Sequence, residues 1–142
     1  MRLTTHTDYA LRVLMYLGAR PDERATIEEI ARVYGISQNH LMKVVNNLAR
    51  HGWVEAQRGR GGGLKLARDA GEITVGAVIR TTEEDFDQVE CFRATNSCPI
   101  TGPCLLKRSL ADAMDAYLAV LDGVTLASLV RQPRQLLAAL AV

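Results

Sequence analysis

The chain has 142 residues, 48% of them apolar, and a formal net charge of +1, which suits one ordinary domain, or a small domain with an appended element, that buries a real core. Its apolar runs are too short to cross a bilayer, so no membrane partner is expected. The charge is uneven: residues 1–68 hold eleven Lys/Arg against six Asp/Glu, and residues 69–142 hold six against ten, so only the first half suits a polyanion. The opening run Met1-Arg2-Leu3-Thr4-Thr5-His6-Thr7-Asp8 has no apolar core of the secretory type. The expectation is a cytoplasmic protein whose cysteines stay reduced and open to metals.

Residues 8–19 read as a buried helix, with Leu11, Leu14, Met15 and Leu17 mainly on one side and Thr7 or Asp8 as its cap. Thr26-Ile27-Glu28-Glu29 matches a capping box, and the helix it opens stops at Gly35. Ser37 then caps a second helix, about residues 38–51, with Leu41, Val44, Val45 and Leu48 inward. Gln38, Asn39, His40, Lys43, Asn46 and Asn47 face outward. Two short helices around Gly35-Ile36-Ser37 form the helix-turn-helix pattern, and amides and bases on the second can read base edges. An ordinary solvated face on a helical hairpin is the alternative.

The next stretch favours the DNA-binding alternative. Trp53–Gln57 alternates as a strand, Arg58-Gly59-Arg60-Gly61-Gly62-Gly63 is a flexible basic tip, and Leu64-Lys65-Leu66 returns. A hairpin directly after the recognition position is the layout of a winged helix-turn-helix, with Arg58, Arg60 and Lys65 near phosphates. A nucleotide-binding loop is disfavoured because no Gly-Lys-Ser/Thr follows. The predicted fold is mainly α. It comprises a winged domain over 1–80, an acidic segment and cysteine loop over 81–104, a dimerisation helix over 105–125, and short helices over 126–142.

Thr74 caps the helix that follows the wing, and Glu83, Glu84, Asp85, Asp87 and Glu90 read as a solvated acidic patch. The only cysteines, Cys91, Cys98 and Cys104, then fall within fourteen residues rich in turn formers. An odd number leaves a thiol over in any disulfide scheme, whereas three thiolates bent around one point suit an iron–sulfur cluster or a zinc ion. A bare thiol switch is the third option. Further on, Leu106, Leu110, Ala113, Tyr117, Val120 and Val124 recur at steps of four and three, widened by Met114, Leu118 and Leu121. Such a seam needs a partner. A homodimer is favoured over packing within the chain, because paired reading helices suit two half-sites.

Taken together, these residues resemble a known family over nearly the whole chain. The matching pieces are Leu3-Thr4 through Thr7-Asp8-Tyr9-Ala10-Leu11-Arg12, Gly35-Ile36-Ser37-Gln38-Asn39-His40-Leu41-Met42-Lys43-Val44, Arg58-Gly59-Arg60-Gly61-Gly62-Gly63-Leu64, the three cysteines, and Leu121-Asp122 followed by Thr125-Leu126. The chain resembles the iron–sulfur winged-helix repressors of the IscR and NsrR type, most closely their nitric-oxide-sensing branch. Asn39-His40 and Cys98-Pro-Ile-Thr-Gly-Pro-Cys104 look like that branch. The other branch carries a histidine ligand three residues after the third cysteine, where this chain has Lys107.

The resemblance implies one cluster per subunit, four-iron favoured and two-iron possible, on Cys91, Cys98 and Cys104. It also implies that Asp8 of the partner subunit supplies the fourth ligand. His6 is the rival, and a helix cap is the plain alternative role for Asp8. The implied function is a homodimeric repressor that binds double-stranded operator DNA while the cluster is intact and releases it when nitric oxide nitrosylates the cluster. An iron- or cluster-status sensor of the same fold is the first rival. A redox or electron-transfer protein is the rival from another class, disfavoured because no substrate-pocket constellation, nucleotide motif or acid/base pair is visible. No catalytic residues are expected.

Overall fold

Thr4 opens the first helix. In the computed structural model, which describes residues 2–141, the Thr4 hydroxyl accepts from the Thr7 amide at 3.2 Å, and α1 runs Thr5–Gly18. The expected caps, Thr7 and Asp8, lie inside the helix instead. Thr7 is fully buried and its hydroxyl donates to Thr82 at 2.9 Å. A cap residue flanks the helix with non-helical dihedrals, and Thr4 does so here, so neither residue serves. The inward face is also rotated from the sequence expectation. Ala10, Val13, Leu14, Tyr16 and Leu17 are buried, while Leu11 and Met15 are half-buried at its flanks.

The helix-turn-helix follows the local code. The Thr26–Glu29 capping box opens α2 (Ile27–Tyr34), and Gly35 ends it at a φ of 64° that favours glycine. Ser37 accepts from the His40 amide at 3.3 Å and opens α3 (Gln38–Arg50). Leu41, Val44, Val45 and Leu48 of α3 are buried in the core with α1. Each such side chain contributes about 1.5–3 kcal/mol by leaving water. Tyr16 ties α1 to α2. Its hydroxyl donates to Glu29 at 2.6 Å, and Arg20 pairs with the same carboxylate.

The wing is a two-stranded antiparallel hairpin of β1 (Val54–Gln57) and β2 (Gly63–Leu66), in the register Val54↔Leu66 to Gln57↔Gly63. Its tip needs glycine at Gly62, where a Cβ would sit 2.3 Å from the Gln57 carbonyl oxygen. Ala25 extends the sheet by one residue, exchanging backbone bonds of 3.0 and 2.7 Å with Leu64. That pairing fixes the base of the wing to the segment entering α2.

Thr74 caps α4 (Val75–Thr82), as expected. A single 3₁₀ turn covers Glu90–Phe92, and α5 spans Leu105–Asp122. The seam on α5 splits. Met114 and Leu118 are buried within the chain against Val75 and Ile79 of α4, so part of the expected partner surface is used internally. Leu105, Leu106 and Val120 stay 66–77% exposed. Two short helices, α6 (Leu126–Leu129) and α7 (Pro133–Ala139), close the fold. Leu126 returns to the main core, where it packs on Gly18. No helix among the described residues is long and apolar enough to cross a membrane.

Candidate functional site

Two separate groups of residues carry chemistry. The first is the outer face of α3 with the wing. Ser37, Gln38, Asn39 and Lys43 are exposed there. His40 is half-buried and meets the Tyr9 ring edge-on, with centroids 4.9 Å apart. Arg58 and Arg60 are exposed at the wing tip and form no ion pair among the described residues. Lys65 differs from them. It pairs with Glu55 across the hairpin at 3.3 Å, and Arg24 reaches that carboxylate at 2.9 Å. The two cations hold the Glu55 carboxyl below the usual carboxylate range.

Between α3 and the wing runs a groove lined by Met42, Asn46, Ala56, Arg58 and Gly59, among others. Met42 is the large apolar side chain exposed on α3, at 45%. The sequence reading passed over it as a site residue. The signal was available, since Gln38, Met42 and Asn46 stand at steps of four and share one helix face. An apolar tip between two amides is suited to the methyl group of thymine.

The second group is the cysteine loop. The Ser97 hydroxyl donates to Glu90 at 2.8 Å and the Ser97 amide at 3.1 Å, which closes the turn behind Cys91. These bonds hold the Glu90 carboxyl below its ordinary range. Cys98 N donates to Asn96 Oδ1 at 2.9 Å, and the Thr101 hydroxyl donates to Cys98 O at 2.8 Å. Cys104 occupies the cap position of α5 without a side-chain cap bond.

Cys91, Cys98 and Cys104 are free thiols, each half-buried. All three line one concavity of about 210 Å³, with Val89, Glu90, Ile100, Leu106, Lys107 and Leu110 as its other walls. Three soft sulfur donors in a largely apolar hollow fit a soft metal centre. Within the single chain the set is incomplete. Among the described residues, no three His, Cys, Asp or Glu side chains close to metal-holding distance. Lys107 is a cation there and cannot ligate while protonated.

Neither Asp8 nor His6 lines that concavity. Asp8 is instead held by Arg12, with bonds of 3.0 Å to Nε and 2.8 Å to Nη2. Arg12 lies 5.8 Å from both the Tyr9 and the Tyr34 ring centroids. A continuous path therefore runs from Asp8 through Arg12 and Tyr9 to His40 on α3. The i,i+4 spacing of Asp8 and Arg12 and the i,i+3 spacing of Tyr9 and Arg12 are visible in the sequence, but the contacts with Tyr34 and His40 are not. His6 Nε2 is buried without a hydrogen-bond partner.

Residues 3–132 match the Rrf2 family, described as an iron-dependent transcriptional regulator. The HTH-type transcriptional regulator NsrR of Bacillus subtilis is 51% identical over 139 residues, covering 96% of this chain and 95% of that protein. Among solved structures, CymR, the global cysteine regulator of B. subtilis, superposes with a TM-score of 0.74 at 26% identity, over 92% of this chain and 97% of its own. T. potens IscR superposes with a TM-score of 0.75 at 25% identity, over 92% and 87%. The winged-helix fold expected from the sequence is shared with these regulators. The chain belongs to the Rrf2 family, as an NsrR-like transcriptional regulator and not an enzyme.

Proposed function

We propose that this chain is a cytoplasmic, nitric-oxide-responsive repressor that binds operator DNA as a homodimer. One iron–sulfur cluster per subunit, of the four-iron type, would be held by Cys91, Cys98 and Cys104 and by Asp8 of the partner subunit. The observation that carries this reading is the lining of one hollow by all three cysteines, where the one carboxylate of the same chain, Glu90, is taken up by the Ser97 amide and hydroxyl. The hollow reaches Leu106, in the exposed apolar part of α5. A second copy seated on α5 is therefore the natural source of the missing ligand. The similarity to NsrR supports the same choice.

Such a cluster would be held by three soft thiolates and one hard carboxylate, and would supply a centre reactive toward nitric oxide, with the weaker oxygen link the one most readily given up. The residues of the chain do the rest. α3 presents Gln38, Asn39, His40 and Lys43 to base edges, and Arg58 and Arg60 hold phosphates on either side of the minor groove. Lys65 joins them where its pairing with Glu55 gives way to a phosphate. Asp8 has two partners to choose between. With its carboxylate drawn to the other subunit, Arg12 loses its bidentate acceptor, and Tyr9 and His40 move with it. With that link broken, Asp8 returns to Arg12 and α3 is set differently against DNA.

Anaerobically purified protein tests the proposal. The expected result is a cluster absorption band, iron and sulfide in near-equal amounts, and operator release in step with nitric oxide added. An iron-status regulator is the second reading, favoured by the description of the matched family as iron-dependent. Operator release on iron chelation, with nitric oxide inert, would select it.

A further inference from the structure

The C-terminal end of α3 is held by a side chain outside both groups of functional residues. Arg68, just beyond β2, donates from Nε to the Gly52 carbonyl at 3.0 Å and from Nη2 to the His51 carbonyl at 3.2 Å. These carbonyls follow the last turn of α3, where a helix leaves acceptors unpaired and carries negative partial charge. The same guanidinium lies 4.6 Å from the Trp53 ring. The Trp53 indole N–H donates to Thr81 Oγ1 at 2.9 Å, and Thr81 is part of α4. The next residue, Thr82, accepts from Thr7 of α1. One joint thus connects the end of α3, the root of the wing and α4, the helix that leads into the cysteine segment.

We propose that Arg68 and Trp53 are positioning residues for operator recognition, fixing the angle of α3 relative to the wing and to α4. Arg68 acts through the planar fork of its guanidinium, which spans two carbonyls and stacks on an indole at once. A lysine has the charge but neither capability. The inference rests on the reading that α3 enters the groove. It goes beyond that reading by assigning the orientation of α3 to a joint in the same subunit, separate from Asp8 and Arg12.

The test uses the full-length chain purified anaerobically, with Arg68→Lys, Arg68→Gln and Trp53→Phe. Arg68 is exposed, so its variants should fold, and Trp53→Phe keeps an aromatic face while deleting the N–H donor and the five-membered ring that carries it. Affinity for operator and for a non-operator duplex of equal length is measured across salt concentrations. Loss of a charge-assisted clamp predicts about tenfold weaker operator binding for both Arg68 variants. Non-operator affinity and the salt slope should stay unchanged, and Trp53→Phe should shift the operator ratio in the same direction. A phosphate contact behaves otherwise. Arg68→Lys would then match the wild type, and Arg68→Gln would flatten the slope by about 0.9. Either result overturns the proposal, as does an equal loss on both duplexes. Asn39→Ala separates the two layers. If it alters operator preference while the Arg68 variants do not, only the joint fails. If Asn39→Ala also leaves preference untouched, the placement of α3 fails, and the joint with it.

Discussion

Asp8→Ala separates the roles open to this residue. Its bonds in the single chain are the two to Arg12, at 3.0 and 2.8 Å, between side chains 46% and 39% exposed. A half-exposed i,i+4 pair contributes only about 0.3–0.5 kcal/mol. Thr4, not Asp8, caps α1, so no capping energy is lost with it. Asp8→Ala should therefore lower the melting temperature by only about 1–2 °C. Thr4→Ala removes a true cap and should cost about 1 kcal/mol. If Asp8 also links the subunits through a cluster, the functional loss will far exceed the stability loss. The cluster should still assemble on three cysteines, with a shifted absorption spectrum. Operator affinity should fall about 5- to 150-fold, the range of ordinary coupling free energies. The assay is operator binding on cluster-loaded protein, with iron and sulfide measured on the same sample. An unchanged spectrum and unchanged affinity at full cluster loading would refute the ligand assignment and leave His6 to be tested next.

Four further outcomes follow from the geometry. Replacing any one of Cys91, Cys98 or Cys104 by Ala should abolish cluster binding and leave the helical circular dichroism intact, since no other cysteine exists to substitute; full iron content in any of the three would contradict the site. Arg58→Ala and Arg60→Ala should weaken binding to all duplexes and reduce the log–log salt slope by roughly 0.9 per lost phosphate contact, as read from titrations at several salt concentrations. Gly62→Ala forces a Cβ to within 2.3 Å of the Gln57 carbonyl, so the wing should be displaced and DNA affinity lost while the melting transition of the core persists. Burial first, and then the bond to Glu29, push the Tyr16 phenol up to about 12. Its contribution to stability is complete below the ordinary tyrosine value of about 10 and is lost as pH rises through the raised one. Denaturant midpoints should fall along that alkaline limb, and Tyr16→Phe should flatten it.

Elements whose causes are local were legible in the residues alone. The Thr26–Glu29 box, the Ser37 and Thr74 caps, the left-handed turn at Gly35 and the glycine-rich wing each depend on a few neighbouring residues. Side-chain-to-backbone bonds over three or four positions form in the same way wherever the chain is placed. The cysteine spacing likewise pointed to one site, and the three thiols do share one hollow. Tertiary structure decided the rest, because it turns on which surfaces meet. Thr7 looked like a cap, but Thr82, seventy-five residues away, takes its hydroxyl into the core and leaves the cap to Thr4. The seam on α5 looked uniform, but α4 covers Met114 and Leu118 and leaves Leu105, Leu106 and Val120 open. The contacts of Arg12 with Tyr34 and of Arg68 with Trp53 have no local signal at all. A planar cation finds an aromatic face only after packing has brought distant segments side by side.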